Sequence, residues 1–312
     1  MRKIYAIGES LVDIIFSKGE PRVARAGGSM LNSAVSLGRI GLPVSLITEY
    51  GNDDPGALID SFLRDNGVGT DLVYRFKNGR TALALAFLDE KNDAHYTFYK
   101  DYPKNRLDIV IPEPGEDDIL LYGSIYSITK EIRKNFVRLI RNAKRNGALR
   151  IYDPNFRKGH LNELDNLRPL IIENLGFANL VRGSDEDFMN IFGAKDADQS
   201  WEIVREYCEG MIYTANASEI SVRTPSFNGK FTVKKITPVS TIGAGDNFNA
   251  GLIASFYAKG IKAADLSNLG MEEWKEIISS AIDFAGNVCM SYDNYIDLAF
   301  ASRYRSASRL QM

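Results

Sequence analysis

Hydrophobic and polar positions alternate between two periods along the chain. Lys3–Ile7 is a short β-rich run closed by Gly8, and Val44–Thr48, Ile119–Tyr122, Ala148–Tyr152, Ala178–Val181 and Met211–Thr214 are apolar runs of strand length. Between such runs the apolar positions fall at helical spacing. Ser29–Ile40 carries Leu31, Ala34, Val35 and Leu37 and is closed by Gly41 and Pro43; Thr129–Asn146 aligns Ile132, Phe136, Leu139, Ile140 and Ala143 on one face. Helices are also predicted over Trp201–Cys208, Ala244–Lys259 and Glu272–Asn287. Strands alternating with helices imply right-handed crossovers and an α/β fold, with a mainly parallel sheet covered on both faces.

One stretch departs from this alternation. Leu72–Phe76, Thr81–Leu88 and His95–Tyr99 read as strands, with Asn78-Gly79 and Asp89–Asp93 as hairpin turns, and Ile14–Val23 adds a further strand. The expectation is a small antiparallel sheet, from segments at about 14–24 and 71–101, inserted in a single domain spanning residues 1–312. A meander this small is marginal alone and must cover something. Tyr96, Phe98, Tyr99 and Tyr102 gather where its last strand ends, so we read it as a lid over a ligand cleft. Its exposed edges allow a homodimer through the β lid without requiring one.

Composition narrows the function. A 312-residue chain that is 45% apolar and 25% charged can build a large core, and a net charge of −2 argues against a polyanion binder. No apolar run approaches the ~18 residues of a membrane span. Cys208, Cys289, His95 and His160 are too few for a disulfide framework or a Cys/His metal centre. The expected setting is the cytoplasm, with no nucleic-acid or membrane partner.

The strongest chemical signal is Thr241-Ile242-Gly243-Ala244-Gly245-Asp246, after a β-rich run at Phe231–Ile236 and at the start of a helix. Gly243 and Gly245 let backbone amides crowd around an anion, and the helix N-terminus adds free N–H groups. Asp246 is placed either as a base for a hydroxyl attacking phosphorus or as a plain complement to the helix dipole. A second stretch, Gly27-Gly28-Ser29-Met30-Leu31-Asn32, offers a close-approach surface and, at Asn32, donors and acceptors for a polyol; taken alone, it reads better as a glycine entry into an amphipathic helix with Asn32 on the wet face.

Taken in order, the two stretches resemble the paired signatures of the ribokinase-like (PfkB) carbohydrate kinases. Gly27–Asn32, continuing through Leu37–Gly41 to Gly51–Gly56, is similar to the N-terminal one, and Thr241–Gly251 to the C-terminal one. The resemblance spans nearly the whole chain, including Asp153-Pro154-Asn155-Phe156-Arg157. Gly8-Glu9-x-Leu11-Val12-Asp13, Phe98-Tyr99-Lys100 and Tyr122-Gly123-Ser124 look most like the fructokinase and 2-keto-3-deoxygluconate kinase branch. It implies a three-layer α/β/α fold and transfer of the γ-phosphoryl of ATP to a sugar hydroxymethyl. Asp246 would be the base, with the amides of Ala244, Gly245 and Asp246, after Gly243, as anion hole and Arg157 near the transferring phosphate. Asp13, Gly28, Asn32, Phe98 and Lys100 would hold the sugar, and Ser184, Thr214, Gly243, Gly245 and Asn287 the nucleotide.

Three departures qualify that reading. The family's Asn-x-x-Glu, which organises Mg²⁺, stands here as Ser184-Asp185-Glu186-Asp187; Asp187 is either the metal residue or half of a helix capping box. Thr-x-Gly-x-x-Gly has become Thr214-Ala215-Asn216-Ala217-Ser218-Glu219, without glycine. Asp-Thr has become Ser240-Thr241, and Met290–Asn294 replaces a Gly-Ala turn, so a monovalent cation stays undecided. Fructose is the leading acceptor, 2-keto-3-deoxygluconate the rival through Tyr99 and Lys100, and a non-catalytic sugar or nucleotide binder the reading from another class.

Overall fold

The computed structural model describes residues 2–88, 94–215 and 219–308. Ten described strands form a central sheet. From one edge they run Asn228–Thr232, Glu219–Arg223, Gly210–Ala215, Leu180–Ser184, Leu149–Asp153, Ile119–Gly123, Ile4–Ile7 and Val44–Gly51, and the last of these pairs with both Val68–Gly69 and Val73–Phe76. All neighbouring pairs are parallel except the two pairings at the first edge. Side-chain alternation divides the core in two. Ile4 and Ala6 face helices Ser29–Arg39, Ala244–Ala258 and Met271–Cys289, whereas Tyr5 and Ile7 face Arg133–Arg145 and Leu164–Phe177. This is the expected α/β class in three layers.

Element boundaries differ from expectation where tertiary pairing decides. The helix predicted at Trp201–Cys208 lies at Ala197–Val204, because Asp196 caps it by accepting from the Gln199 amide. Of Phe231–Ile236 only the first two residues belong to a strand, Asn228–Thr232. The helix within Thr129–Asn146 begins at Arg133, after a 3₁₀ turn at Ile125–Ile128.

The lid sheet is built from Glu20–Gly27, Leu11–Ser17, Arg80–Leu88 and Ala94–Asp101, in that order. It differs from the predicted meander in three ways. Ile14–Val23 is not one strand but a hairpin, reversed at Lys18 and Gly19, which take φ of 54° and 79°. The pairing of Leu11–Ser17 with Arg80–Leu88 is parallel. The run at 72–76 lies in the central sheet against Thr48–Gly51, so Asn78-Gly79 joins two sheets rather than two strands of a hairpin. The other predicted turn, Asp89–Asp93, lies outside the described residues.

A buried ion pair ties the lid's return to the central sheet. Glu49, 1% exposed, accepts from Arg106 Nε at 2.7 Å and from the Leu107 amide at 2.8 Å. The Arg106 guanidinium lies 3.6 Å from the Tyr102 ring centre, and the Tyr102 hydroxyl donates to Glu9 at 2.7 Å. Removing one partner of such a pair strands a charge in the interior. Arg106→Ala is therefore expected to cost about 3–5 kcal/mol in urea unfolding at neutral pH. Burial already pushes the Glu49 carboxyl upward and Arg106 opposes it, so the deficit should shrink as the pH is lowered and Glu49 takes up a proton.

Candidate active site

The helix Ala244–Ala258 starts without a side-chain cap. Gly243 occupies its N-cap at φ 80°, and a Cβ there would sit 2.9 Å from the Asn294 carbonyl, so both conformation and space require glycine. The Ala244 amide, expected in the anion hole, instead donates to the Thr241 carbonyl at 3.2 Å. The Gly245 and Asp246 amides have no acceptor among the described residues, which leaves two donors at the positive end of the helix for an anion. The Asn247 side chain steadies the turn by donating to the Gly243 and Asn294 carbonyls, each at 2.8 Å.

Asp246 is 8% exposed and faces the start of helix Ser29–Arg39. Asn32 Nδ2 donates to its Oδ2 at 2.8 Å and Ser33 Oγ to its carbonyl at 2.7 Å, joining two sequence-distant stretches. Desolvation raises the Asp246 carboxyl to about 6; Asn32 opposes this, Asp153 adds to it, and Arg157 and Arg182 draw it down. Such a carboxylate is ionised at neutral pH yet basic enough to accept a proton. Asn32 Oδ1 is buried without a partner among the described residues, an acceptor left for a ligand hydroxyl.

The small sheet lies near Arg157, whose charge acts on Tyr96 together with that of Asp13. Asp13 is cross-strand from Arg25 and Ala84, and Phe98 continues the same row. Burial raises the Asp13 carboxyl to about 6 against the pull of Arg25, and no donor reaches it among the described residues. Gly28, at φ 135°, lies so close to the Glu9 carbonyl that a Cβ would come within 2.1 Å, placing Glu9 beside it. Tyr96 and Phe98 stack with ring centres 5.9 Å apart, and Phe98 is 54% exposed. Lys100 is not free: its Nζ pairs with Glu9 Oε1 at 2.7 Å. Arg157, exposed at the head of the 3₁₀ turn Lys158–Glu163, is close enough to act on both Asp246 and Tyr96.

The remaining candidates fall less simply. Ser184 and Asp187 form the capping box of helix Asp185–Phe192, and the other Asp187 oxygen accepts from the Phe156 amide at 2.6 Å. Both carboxylate oxygens are thus committed, and no cluster of three metal-ligating side chains occurs among the described residues. These donors do not fit a resident metal cage. Thr214 Oγ1 accepts from Arg182 at 2.8 Å; positions 216–218 of its loop lie outside the described residues. Asn287 exchanges hydrogen bonds with Asp297 and makes none with the amide turn among the described residues.

Arg182 is the residue sequence reasoning passed over, and Asp153, read only as the first residue of the Asp153–Arg157 stretch, was given no role. The signal of Arg182 is position: a charged residue at the carboxyl end of a buried parallel strand, where open α/β sheets place ligands. No described helix is long and apolar enough to cross a membrane.

Residues 1–273 match the model of the pfkB family carbohydrate kinases. Probable fructokinase-6, chloroplastic, of Arabidopsis thaliana is 27% identical over 288 residues, which covers 86% of this chain and 72% of that one. Fructokinase-1 of Oryza sativa subsp. japonica is 26% identical over 263 residues, covering 80% and 81%. Among solved structures, the fructokinase of Xylella fastidiosa with bound ATP superposes with a TM-score of 0.82 at 22% identity, over 98% of this chain and 99% of that one. The fructokinase of Vibrio cholerae O395, bound to fructose, ADP and calcium, gives 0.82 at 21% identity over 97% and 98%.

The burial of Asp246 has a measurable cost. With a native pKa raised from 3.8 to about 6, the folded chain binds this proton where the unfolded chain does not. Stability is lost as the pH rises through that window, and the loss is complete above it. Asp246→Asn should therefore stabilise the ligand-free protein by about 1–3 kcal/mol at pH 7.5, an advantage that disappears near pH 4 in pH-resolved denaturant unfolding.

Proposed function

We propose that this chain, which belongs to the pfkB family of carbohydrate kinases, phosphorylates a neutral ketohexose, fructose first, at a hydroxymethyl group using ATP. Its fructokinase relatives support the choice of sugar, and so does the chemistry of the pocket wall. That wall is rich in acceptors: Asp13, the free Oδ1 of Asn32 and the Asp246 carboxylate suit hydroxyl groups and repel a carboxylate. Lys100, the cation on strand Ala94–Asp101 considered for a sugar acid, is already paired with Glu9.

In this reading Asp13, Asn32 and the Gly28 turn orient the sugar, and Phe98 covers it. The hydroxymethyl proton passes to Asp246 while its oxygen attacks the γ-phosphorus of ATP; the bond to the β-phosphate oxygen breaks and ADP leaves. Charge gathering on the phosphoryl group meets the Gly245 and Asp246 amides, and Arg157 spreads the remainder. Thr214 and Ser184 line the nucleotide side, with Asn287 further along it. Divalent metal, Mg²⁺ in the cell, enters with the nucleotide as part of the substrate, since the Asp187 oxygens are occupied by backbone and Ser184. The observation that carries the reading is the Asn32–Asp246 contact at 2.8 Å beside two unpaired helix-terminal amides.

A coupled assay of ADP release over fructose, 2-keto-3-deoxygluconate, ribose, tagatose and adenosine tests it. Fructose should exceed the sugar acid in kcat/KM by at least about tenfold. Preference for the acid overturns the substrate, and sugar-induced melting shifts without any ADP overturn the kinase. In the same assay Asp13→Ala should raise the fructose KM by about 10–100-fold, the worth of a hydrogen bond to a charged group.

A further inference from the structure

Beneath the amide turn, three neighbouring parallel strands end together: Leu149–Asp153, Leu180–Ser184 and Gly210–Ala215. Arg182 bridges all three. Its Nη1 donates to Asp153 Oδ2 at 3.2 Å and its Nη2 to Thr214 Oγ1 at 2.8 Å, and Asn249 Nδ2 donates to the same Asp153 oxygen at 2.6 Å. Arg182 is 9% exposed, and its Nε has no partner among the described residues. Its Nη edge meets the helix above. A Cβ on Gly245 would lie 2.8 Å from Nη1 and 3.4 Å from both Cζ and Nη2, while the Phe248 ring centre is 5.5 Å from Cζ.

We propose that Arg182 is a positioning residue for phosphoryl transfer: held by Asp153 and Thr214, its guanidinium forms the underside of the Gly245–Asp246 turn and sets the two free amides in line with the base. The assignment rests on the kinase reading above for the identity of the anion. Its physical basis is fit. A guanidinium can hold two partners and still bring its Nη edge against a residue without a side chain, whereas a lysine ammonium on a flexible stem cannot reproduce both hydrogen bonds and that contact. A buried ion pair adds little net stability over a well-packed apolar substitute, so its contribution should appear in the chemistry.

The charged groups bearing on Asp246 are Asp153 and Arg182 from the strand ends and Arg157 from the following turn, with neutral Asn32 opposite; Asp187 bears on Asp153 in turn. Removing Arg182 withdraws a positive charge and leaves Asp153 unopposed, and both changes disfavour the ionised base. Removing the Asp153 charge does the reverse.

The experiment is the pH profile of kcat with fructose for wild type, Arg182→Met, Arg182→Lys and Asp153→Asn, together with titration of the Asp246 carboxyl by carbon NMR in each ligand-free protein. Arg182→Met should lower kcat by about 10²-fold with the fructose KM within about threefold of wild type, and should move the acid limb and the NMR titration to higher pH. Asp153→Asn should move both to lower pH. Arg182→Lys should keep the titration near wild type, since the charge remains, yet recover only part of kcat. Wild-type turnover in Arg182→Lys overturns the assignment, as does a fall in kcat for Arg182→Met with limb and titration unmoved. If Arg182→Met does not fold, Arg182→Lys and Asp153→Asn decide between these outcomes. A wild-type chain that turns over no sugar overturns the kinase reading and, with it, the phosphoryl role of Arg182, while displaced titrations in the variants would still separate that failure from a mistaken geometry.

Discussion

The site depends on keeping a carboxylate out of water without losing its charge. Asp246 sits in the first turn of a helix, where the backbone favours a negative group, yet its burial pushes the other way and leaves it near 6. The Asn32 amide supports the ionised form by a 2.8 Å hydrogen bond and fixes which oxygen remains open. Asn32 and Asp246 are 214 positions apart, so the contact exists only because two helices on the same side of the sheet begin at the same end. The layered α/β arrangement is the means by which that juxtaposition is made rigid.

Around this contact the sheet separates two tasks. Strand ends from Asp153 to Thr214 support the amide turn, and the lid strands bring Asp13 and the stacked Tyr96 and Phe98 to the facing side. Glu9 belongs to both regions, since its backbone touches Gly28 while its side chain holds Lys100 and Tyr102. Arg25 makes a comparable link at the other end of the lid: it neighbours Asp13 across the strand pair and donates to the Tyr292 carbonyl at 2.7 Å, two residues from the Asn294 carbonyl that packs on Gly243. The Asp13 strand and the amide turn are thus joined by short contacts rather than by the length of the domain.

How much of this the sequence disclosed follows from how local each signal was. The Gly243–Asp246 turn and the Gly28–Asn32 entry could be read directly, because glycine placement and a helix start are properties of a few consecutive residues. The alternation of strands and helices was equally legible from apolar spacing. Sheet membership was not: Leu72–Phe76 has the pattern of a lid strand, and only pairing with Thr48–Gly51 assigns Val73–Phe76 to the central sheet. The Lys18-Gly19 reversal lacks the usual Asn-Gly signature, so one strand was read where a hairpin stands. Arg182 was missed because nothing beside it in sequence marks a buried arginine as part of a site; its partners come from strands on either side and from the helix above. Asp187 shows the opposite case, a residue whose local capping pattern was legible and whose contacts reveal both oxygens already in use.

The account turns on whether Asp246 accepts the proton as phosphoryl transfer begins. Asp246→Asn keeps the size of the side chain and the Asn32 contact while removing the basic oxygen, so turnover and binding can be measured separately. Phosphoryl transfer from ATP to fructose should fall by about 10²–10⁴-fold in kcat, the usual worth of a positioned general base, with fructose affinity within a few-fold of wild type. A variant that turns over at the wild-type rate would show that the proton leaves by another route, and the arrangement built here around that carboxylate would not be the reacting centre.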